Sequence, residues 1–524
     1  MFRKACFWAM KRTQLVSQGM VTRRLREAQA AWARKDFVAA IDLLESANQL
    51  APANPGILIE LGRAYGSRYD YGTAERYFEK TIRFSPKKGA MLATVADHCQ
   101  FFRNPELRER YLRLALVQPD ATPQTCVKLA ELCERLRRLP EAGELVDRAL
   151  KLDPKCAEAL LVRARLERLA GRMETAEQYL RSLLNQPIAD LQTHARAWYE
   201  LATVLDREEQ FDDAMTAFLE AKILLRPQEG GLLAQLRVYM ASLKLMESTM
   251  SAEIFKRWSA QGPALGPTRR LALLCGHARS GTTLLEQVLD SHPDIVSAEE
   301  TFVFLDDALA PIERQFPPNA PALTILDTAS PQALQSSRAA YFRSMDLSNG
   351  SPVAGRLLID KNPMLTRYIP EFIRVLPETK FIVAMRDPRD VVLSCFMQSH
   401  QLNAATAAFL DLGNTANFYA NVMGFWRTLA PMMPVPYLEV RYEDMVADLE
   451  SVARKTLDFL GVGWNDRVLA FHETARKKRV ISPTYADVTQ PVYQRAKGRW
   501  RNYQKYLEPH LATLEPLVKA FGYE

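Results

Sequence analysis

The stretch LALLCGHARSGTTLLEQVL, residues 271–289, decides how the C-terminal half of this chain is read. An apolar run that reads as a strand ends at Gly276. A short loop follows, and a run with helical apolar spacing begins at Thr282. That context gives meaning to a phosphate-loop frame, G-x-x-x-x-G followed by two hydroxyl residues, here Gly276 to Gly281 and then Thr282 and Thr283. Glycines let the backbone bend tightly around an anion, and the N–H groups at the helix start point at it with the positive end of the helix dipole. The lysine of triphosphate loops is absent, and Arg279 stands inside the loop instead. In triphosphate enzymes that lysine reaches the terminal phosphates while the adjacent hydroxyl residue holds magnesium. Its replacement points to a smaller oxyanion cluster that needs no metal bridge and suits the planar fork of arginine.

Outward from the loop, strand-like runs alternate with helical ones: RLLID (356–360), KFIVAMR (380–386) and PYLEVRYEDM (436–445). Continuous apolar strands separated by helices predict a parallel sheet covered on both faces, with ligands bound where strands end and helices begin. After the second of these runs, Asp387 fits an N-cap and Pro388 the first helical position. Arg386 and Ser394 then flank a second candidate anion site.

Upstream the rules change. A proline follows each predicted helix pair at Pro52, Pro86, Pro119, Pro154, Pro187 and Pro227, spaced 34, 33, 35, 33 and 40 residues apart. Small residues recur where helices must cross closely, as at Ala40, Ala74 and Ala142, each twelve residues before the proline. A period near 34 predicts a helix–turn–helix solenoid, whose units bury their faces only by stacking and so present an extended concave surface. Peptide capture and a rigid spacer are both open for it. The expected organisation is an N-terminal tip (1–22), a repeat array (23–227) of about five units plus a looser sixth, a helical connector (228–266) after which QGPALGPTRR marks the boundary, and an α/β domain (267–524) with a central parallel sheet.

Composition sets outer limits. The chain has 524 residues, 48% of them hydrophobic, so it can bury two or three sizeable cores. A net charge of +7, with no long Lys/Arg run, permits an anionic ligand but does not mark a nucleic-acid surface. Seven scattered cysteines with no C-x-x-C pair predict free thiols in a reducing compartment and no zinc site, and no apolar run reaches about 18 residues, so a cytoplasmic protein without a membrane span is expected.

The repeat residues Gly62, Tyr65, Ala74, Phe78 and Pro86 resemble a tetratricopeptide unit. The loop GHARSGTT, followed by SHPDIVSAEETFVF (291–304), LLIDKNP (357–363) and the Arg386–Ser394 segment, resembles the sulfotransferases that use 3′-phosphoadenosine 5′-phosphosulfate (PAPS), and within them the tyrosylprotein sulfotransferase subfamily. The resemblance spans about residues 271–510. It implies PAPS as co-substrate with no metal, and a hydroxyl acceptor that is protein tyrosine, a carbohydrate or a small phenol. It implies Arg279, Ser280, Gly281, Thr282 and Thr283 around the 5′-phosphosulfate, and Arg386 and Ser394 around the 3′-phosphate. Glu300 would be the general base, with Lys361 and Arg279 stabilising the transition state. Tyr442, Thr484, Tyr485 and Lys497 would lie at the nucleotide, with Arg495 and Trp500 reaching a phosphate or the adenine. The chain departs from the subfamily at Ala298, Phe302 and His277–Ala278, and His277 is expected to have no catalytic role. Taken without the resemblance, Glu299 and Glu300 also read as an acidic helix start. Asp360, after an apolar strand, reads as the magnesium ligand of a small-molecule kinase. A non-catalytic scaffold is the third reading. An oligomer and a protein or peptide partner for the array are both compatible with the sequence.

Overall fold

The computed structural model describes residues 2–350, 353, 355–477, 488–489 and 494–523. Twelve helices, from Phe2–Ala33 to Phe211–Leu225, form six antiparallel pairs, and the tip expected at 1–22 is the N-terminal part of the first helix. Ala40, Ala74 and Ala142 are fully buried at the helix crossings. At Gly62 a Cβ atom would lie 2.3 Å from the Phe78 ring, so the pair closes only around a glycine. Five of the six turns within pairs pass through a left-handed residue. Lys35, Tyr69, Arg137, Gly171 and Glu209 all have a left-handed φ between 59° and 82°. Asp36, Asp70 and Asn104 cap the helices that follow.

Two connector helices, Gly230–Thr249 and Ala252–Gln261, lead to the α/β domain. Its sheet holds five parallel strands: β1 (Leu271–Gly276), β2 (Ile295–Glu299), β3 (Leu357–Lys361), β4 (Lys380–Met385) and β5 (Tyr437–Arg441), in the spatial order β2-β3-β1-β4-β5. The three predicted strands flanking the loop region and the loop strand itself are present. β2 is additional, because IVSAE is too short and too polar at its end to stand out in the sequence. The carboxyl ends of β1 to β4 converge on the first loop and the Arg386 turn.

One apolar core runs without a break from the later repeats (Leu180, Phe218) through Phe255 and Trp258 of the connector to Leu273 and Val383 of the sheet. The array therefore packs as one body with the α/β domain. Polar ties reinforce the contact: Tyr503 donates to Asp206 at 2.7 Å, and Lys222 donates to the Phe409 carbonyl at 2.6 Å. Lys222 has no solvent exposure to speak of and lies against the Tyr199 and Phe396 rings, and burial pushes its ammonium down to about 7. Among the described residues, no helix is long and apolar enough to cross a membrane.

Candidate active site

The loop after β1 is built by glycine. Gly276 has φ 133°, and a Cβ atom there would sit 2.4 Å from the Ala384 carbonyl oxygen of β4. Gly281 has φ 92° and meets the Tyr442 ring, which would be 2.8 Å from an added Cβ. Helix Thr282–Asp290 starts there with no side-chain cap, and its N-terminal end, with the positive end of the helix dipole, faces the loop. Ser280 Oγ and Arg386 Nε are buried without a hydrogen-bond partner among the described residues. Buried unpaired donors are costly, and an anion seated on the loop is what would satisfy them. Tyr442, at the start of the helix after β5, also stacks under the Arg386 guanidinium at 4.9 Å.

The second predicted anion site joins the first. Asp387 caps the helix Pro388–Met397 by accepting from the Arg389 N–H at 2.9 Å, with Pro388 at its first position. Arg279 Nε donates to Ser394 Oγ at 3.0 Å, and Arg386 donates to the Arg279 carbonyl at 3.0 Å. Arg386 also donates to the Ala496 carbonyl at 2.6 Å, and Asp390 accepts from the N–H groups of Gly498 and Trp500. Arg279, Arg386 and Ser394 thus form one cluster on the β4 side. Lys497 and Arg495 are exposed beside it. Trp500 does not lie open for an adenine: it is buried, with the Arg389 guanidinium 4.2 Å above its ring. Thr484 and Tyr485 fall outside the described residues.

Lys361, the last residue of β3, is at the centre of the other half. Its Nζ lies 2.9 Å from Glu300 Oε1, 3.2 Å from Glu286 Oε2 and 3.5 Å from Glu299 Oε1. Burial alone would lower this ammonium, but the carboxylates of Glu286, Glu300 and Glu299 outweigh it and hold the pKa above the ordinary lysine value. Lys361 therefore acts as a fixed cation. It has no exposed surface, whereas Glu300 keeps 34% of its side chain exposed and covers it.

The helix start considered for Glu299 and Glu300 is not what forms. Glu299 ends β2 in register with Lys361. Side chains alternate between faces along a strand, so a continued β2 would send Glu300 to the opposite side. Instead Glu300 adopts φ 49°, which turns its carboxylate back to the ammonium that Glu299 also faces. A left-handed non-glycine residue is strained and persists only where its surroundings impose it.

Glu286, which the sequence reading did not single out, sits one turn into the loop helix, fully buried, and its other oxygen accepts from Ser297 Oγ at 2.8 Å. Its sequence signal was a carboxylate amid LLEQVL, a charged residue on an otherwise apolar helix face. Asp360 is buried beneath Tyr341, whose hydroxyl donates to Oδ2 at 3.0 Å, away from the face that carries Lys361. His277 has no part in the site. It is packed among Phe409, Phe418 and Tyr419, and burial pushes its imidazole down to about 4.

Burial raises the Asp360 carboxyl to about 7. The folded state then holds this proton more tightly than the unfolded chain. The stabilising protonation is complete at low pH, and stability falls as pH rises from the ordinary Asp range to about 7. Asp360→Asn keeps an acceptor for Tyr341 and removes that loss. Its gain over wild type, measured by thermal melts, should grow by about 2 kcal/mol between pH 5 and 7 and level off above.

Strand, glycine loop and uncapped helix, with an arginine cluster on one side and a carboxylate–lysine cluster on the other, define an α/β group-transfer site for an anionic donor. Comparison with known proteins narrows the class. Residues 272–466 match the family model "Sulfotransferase family", and residues 127–190 match "Tetratricopeptide repeat". Over these two stretches the chain is similar to tetratricopeptide repeats and to sulfotransferases. An uncharacterized protein of Aquifex aeolicus is 27% identical over 400 residues, covering 74% of this chain and 50% of that protein, so the chain spans half the length of this relative. Protein-tyrosine sulfotransferase 1 of Danio rerio is 27% identical over 269 residues, covering 48% of this chain and 72% of the relative. Protein-tyrosine sulfotransferase 2 of Gallus gallus is 27% identical, covering 48% and 69%. Among solved structures, the sulfotransferase domain of the Synechococcus PCC 7002 olefin synthase is 22% identical with a TM-score of 0.36, over 50% of this chain and 98% of that one.

Proposed function

We propose that the chain transfers the sulfuryl group of PAPS to a hydroxyl, with protein tyrosine as the acceptor of first choice. The observation that carries this is Glu300 held 2.9 Å from Lys361 at the end of the sheet that also presents the uncapped glycine loop. The loop and the Arg279–Arg386–Ser394 cluster take the phosphate groups of the donor, through backbone N–H groups and guanidinium forks. Glu300, the exposed member of its cluster, accepts the acceptor's hydroxyl proton. The acceptor oxygen forms a bond to sulfur while the bond from sulfur to the 5′-phosphate oxygen breaks. Lys361, charged at all working pH values, stabilises the negative charge left on that oxygen, and 3′-phosphoadenosine 5′-phosphate departs. The Danio and Gallus relatives are protein-tyrosine sulfotransferases, which supports tyrosine as the acceptor. The array is proposed to orient a protein or peptide acceptor, and a cytoplasmic setting is supported by six free, buried cysteines.

Calorimetry with 3′-phosphoadenosine 5′-phosphate should show binding without magnesium, and labelled PAPS should deliver sulfate to tyrosine peptides. Binding that needs magnesium, or tighter binding of ATP, overturns the reading.

A further inference from the structure

Three consecutive turns of the array close on the segment that carries Glu300. Lys35 Nζ pairs with Asp306 at 3.0 Å, and the Lys35 carbonyl accepts from Arg314 at 2.9 Å. Arg68, next to Tyr69, pairs with Asp307. Arg103 donates from its guanidinium to the backbone carbonyl of Glu299 at 2.7 Å. Positions 35, 69 and 103 are the same point of successive repeats, each 34 residues from the last, in the turn between the two helices of a pair. The turns of the first three repeats thus bear on residues 299–314.

We propose that Arg103 is a positioning residue that holds the catalytic base in its working conformation, so that the array is a structural part of the active site. The inference rests on the sulfuryl-transfer reading for the role of Glu300, and on geometry for the rest. The Glu299 carbonyl and the Glu300 N–H belong to one peptide unit. The N–H donates to the Lys361 carbonyl at 2.6 Å, and the carbonyl accepts from Arg103, so that plane is pinned at both ends. Its orientation sets φ of Glu300, the left-handed angle that directs the carboxylate to Lys361. The Thr301–Phe302 peptide is held separately, by Asn362 Nδ2 donating to the Thr301 carbonyl at 2.9 Å. Two of these three anchors belong to the α/β domain itself, through Lys361 and Asn362. The third comes from the array, about 200 residues earlier in the chain, and a side chain there acts on the base without touching any substrate. Without it the peptide is free to rotate out of a strained conformation, and the carboxylate leaves the position in which it accepts a proton.

The test uses the full chain with Arg103→Met and Arg103→Lys. Labelled PAPS and a defined mixture of tyrosine peptides report kcat and KM, calorimetry with 3′-phosphoadenosine 5′-phosphate reports the donor site, and backbone amide exchange reports residues 299–302. Arg103→Met should lower kcat by about tenfold or more, leave donor affinity within about twofold of wild type, and speed exchange of the Glu300 amide. Arg103→Lys, which keeps a charged donor, should recover part of both changes. The proposal is overturned by wild-type kcat, by unchanged exchange at 299–302, or by donor affinity falling in step with kcat. If Arg103→Met does not fold, the same three readouts on Arg103→Lys decide. If the wild-type chain itself modifies none of the peptides, the tyrosine acceptor reading fails on its own account, and the exchange of the Glu300 amide then decides the role of Arg103.

Discussion

If Glu300 is the general base, Glu300→Ala should lower the turnover of sulfuryl transfer by about 10²–10⁴-fold, the contribution of a positioned general base, while calorimetric affinity for 3′-phosphoadenosine 5′-phosphate should stay within about twofold of wild type. The two effects separate because the donor cradle is built elsewhere. Arg279, Arg386 and Ser394 cluster on the β4 side, whereas the Glu300 carboxylate faces Lys361. Glu300→Gln sharpens the result. It retains an oxygen acceptor for Lys361 and loses only the capacity to take the proton, so it should be as impaired in kcat as the alanine variant and fold as well as wild type. Undiminished transfer in both Glu300→Ala and Lys361→Ala sinks the assignment.

Lys361→Met should lower activity and stability together. Its ammonium is fully buried, as are the carboxylates of Glu286 and Glu299 that face it. Taking away the cation strands buried negative charge, a loss of about 3–5 kcal/mol when one partner of a buried pair is removed. The stranded carboxyls then hold protons more tightly in the folded than in the unfolded state, so the loss should be larger at pH 8 than at pH 5. Denaturant melts at the two pH values measure it. Glu286→Gln combined with Lys361→Met should recover much of the stability at pH 8 and none of the activity. A pH-independent loss would show that the cluster is not charged as described.

Much of the site was legible because its parts are local. A glycine loop between a strand and a helix, Asp387–Pro388 at a helix start and a 34-residue proline period are each written within a few dozen residues. The structure brings Arg279, Arg386 and Ser394 together as that reading requires. What escaped it depends on contacts between distant segments. Glu286 looked like a polar interruption of an apolar helix until Lys361 was placed opposite it. Trp500 looked available to an adenine ring until Arg389 was found over its face. Asp360 looked like a metal ligand until strand alternation turned it toward Tyr341.

Sequence alone was enough to mark the two halves, the loop with its arginine in place of lysine, and Glu300 and Lys361 as candidates. Periodicity and turn chemistry act between near neighbours, so a single chain displays them. Tertiary structure alone showed that Glu300 turns through a left-handed angle to reach the same ammonium as Glu299, and that a repeat turn at Arg103 holds the peptide between them. Both depend on where a strand end, a second strand and an array folded from another part of the chain meet in space. No local pattern encodes that meeting, because the residues that impose the strain on Glu300 are its neighbours only in the folded protein.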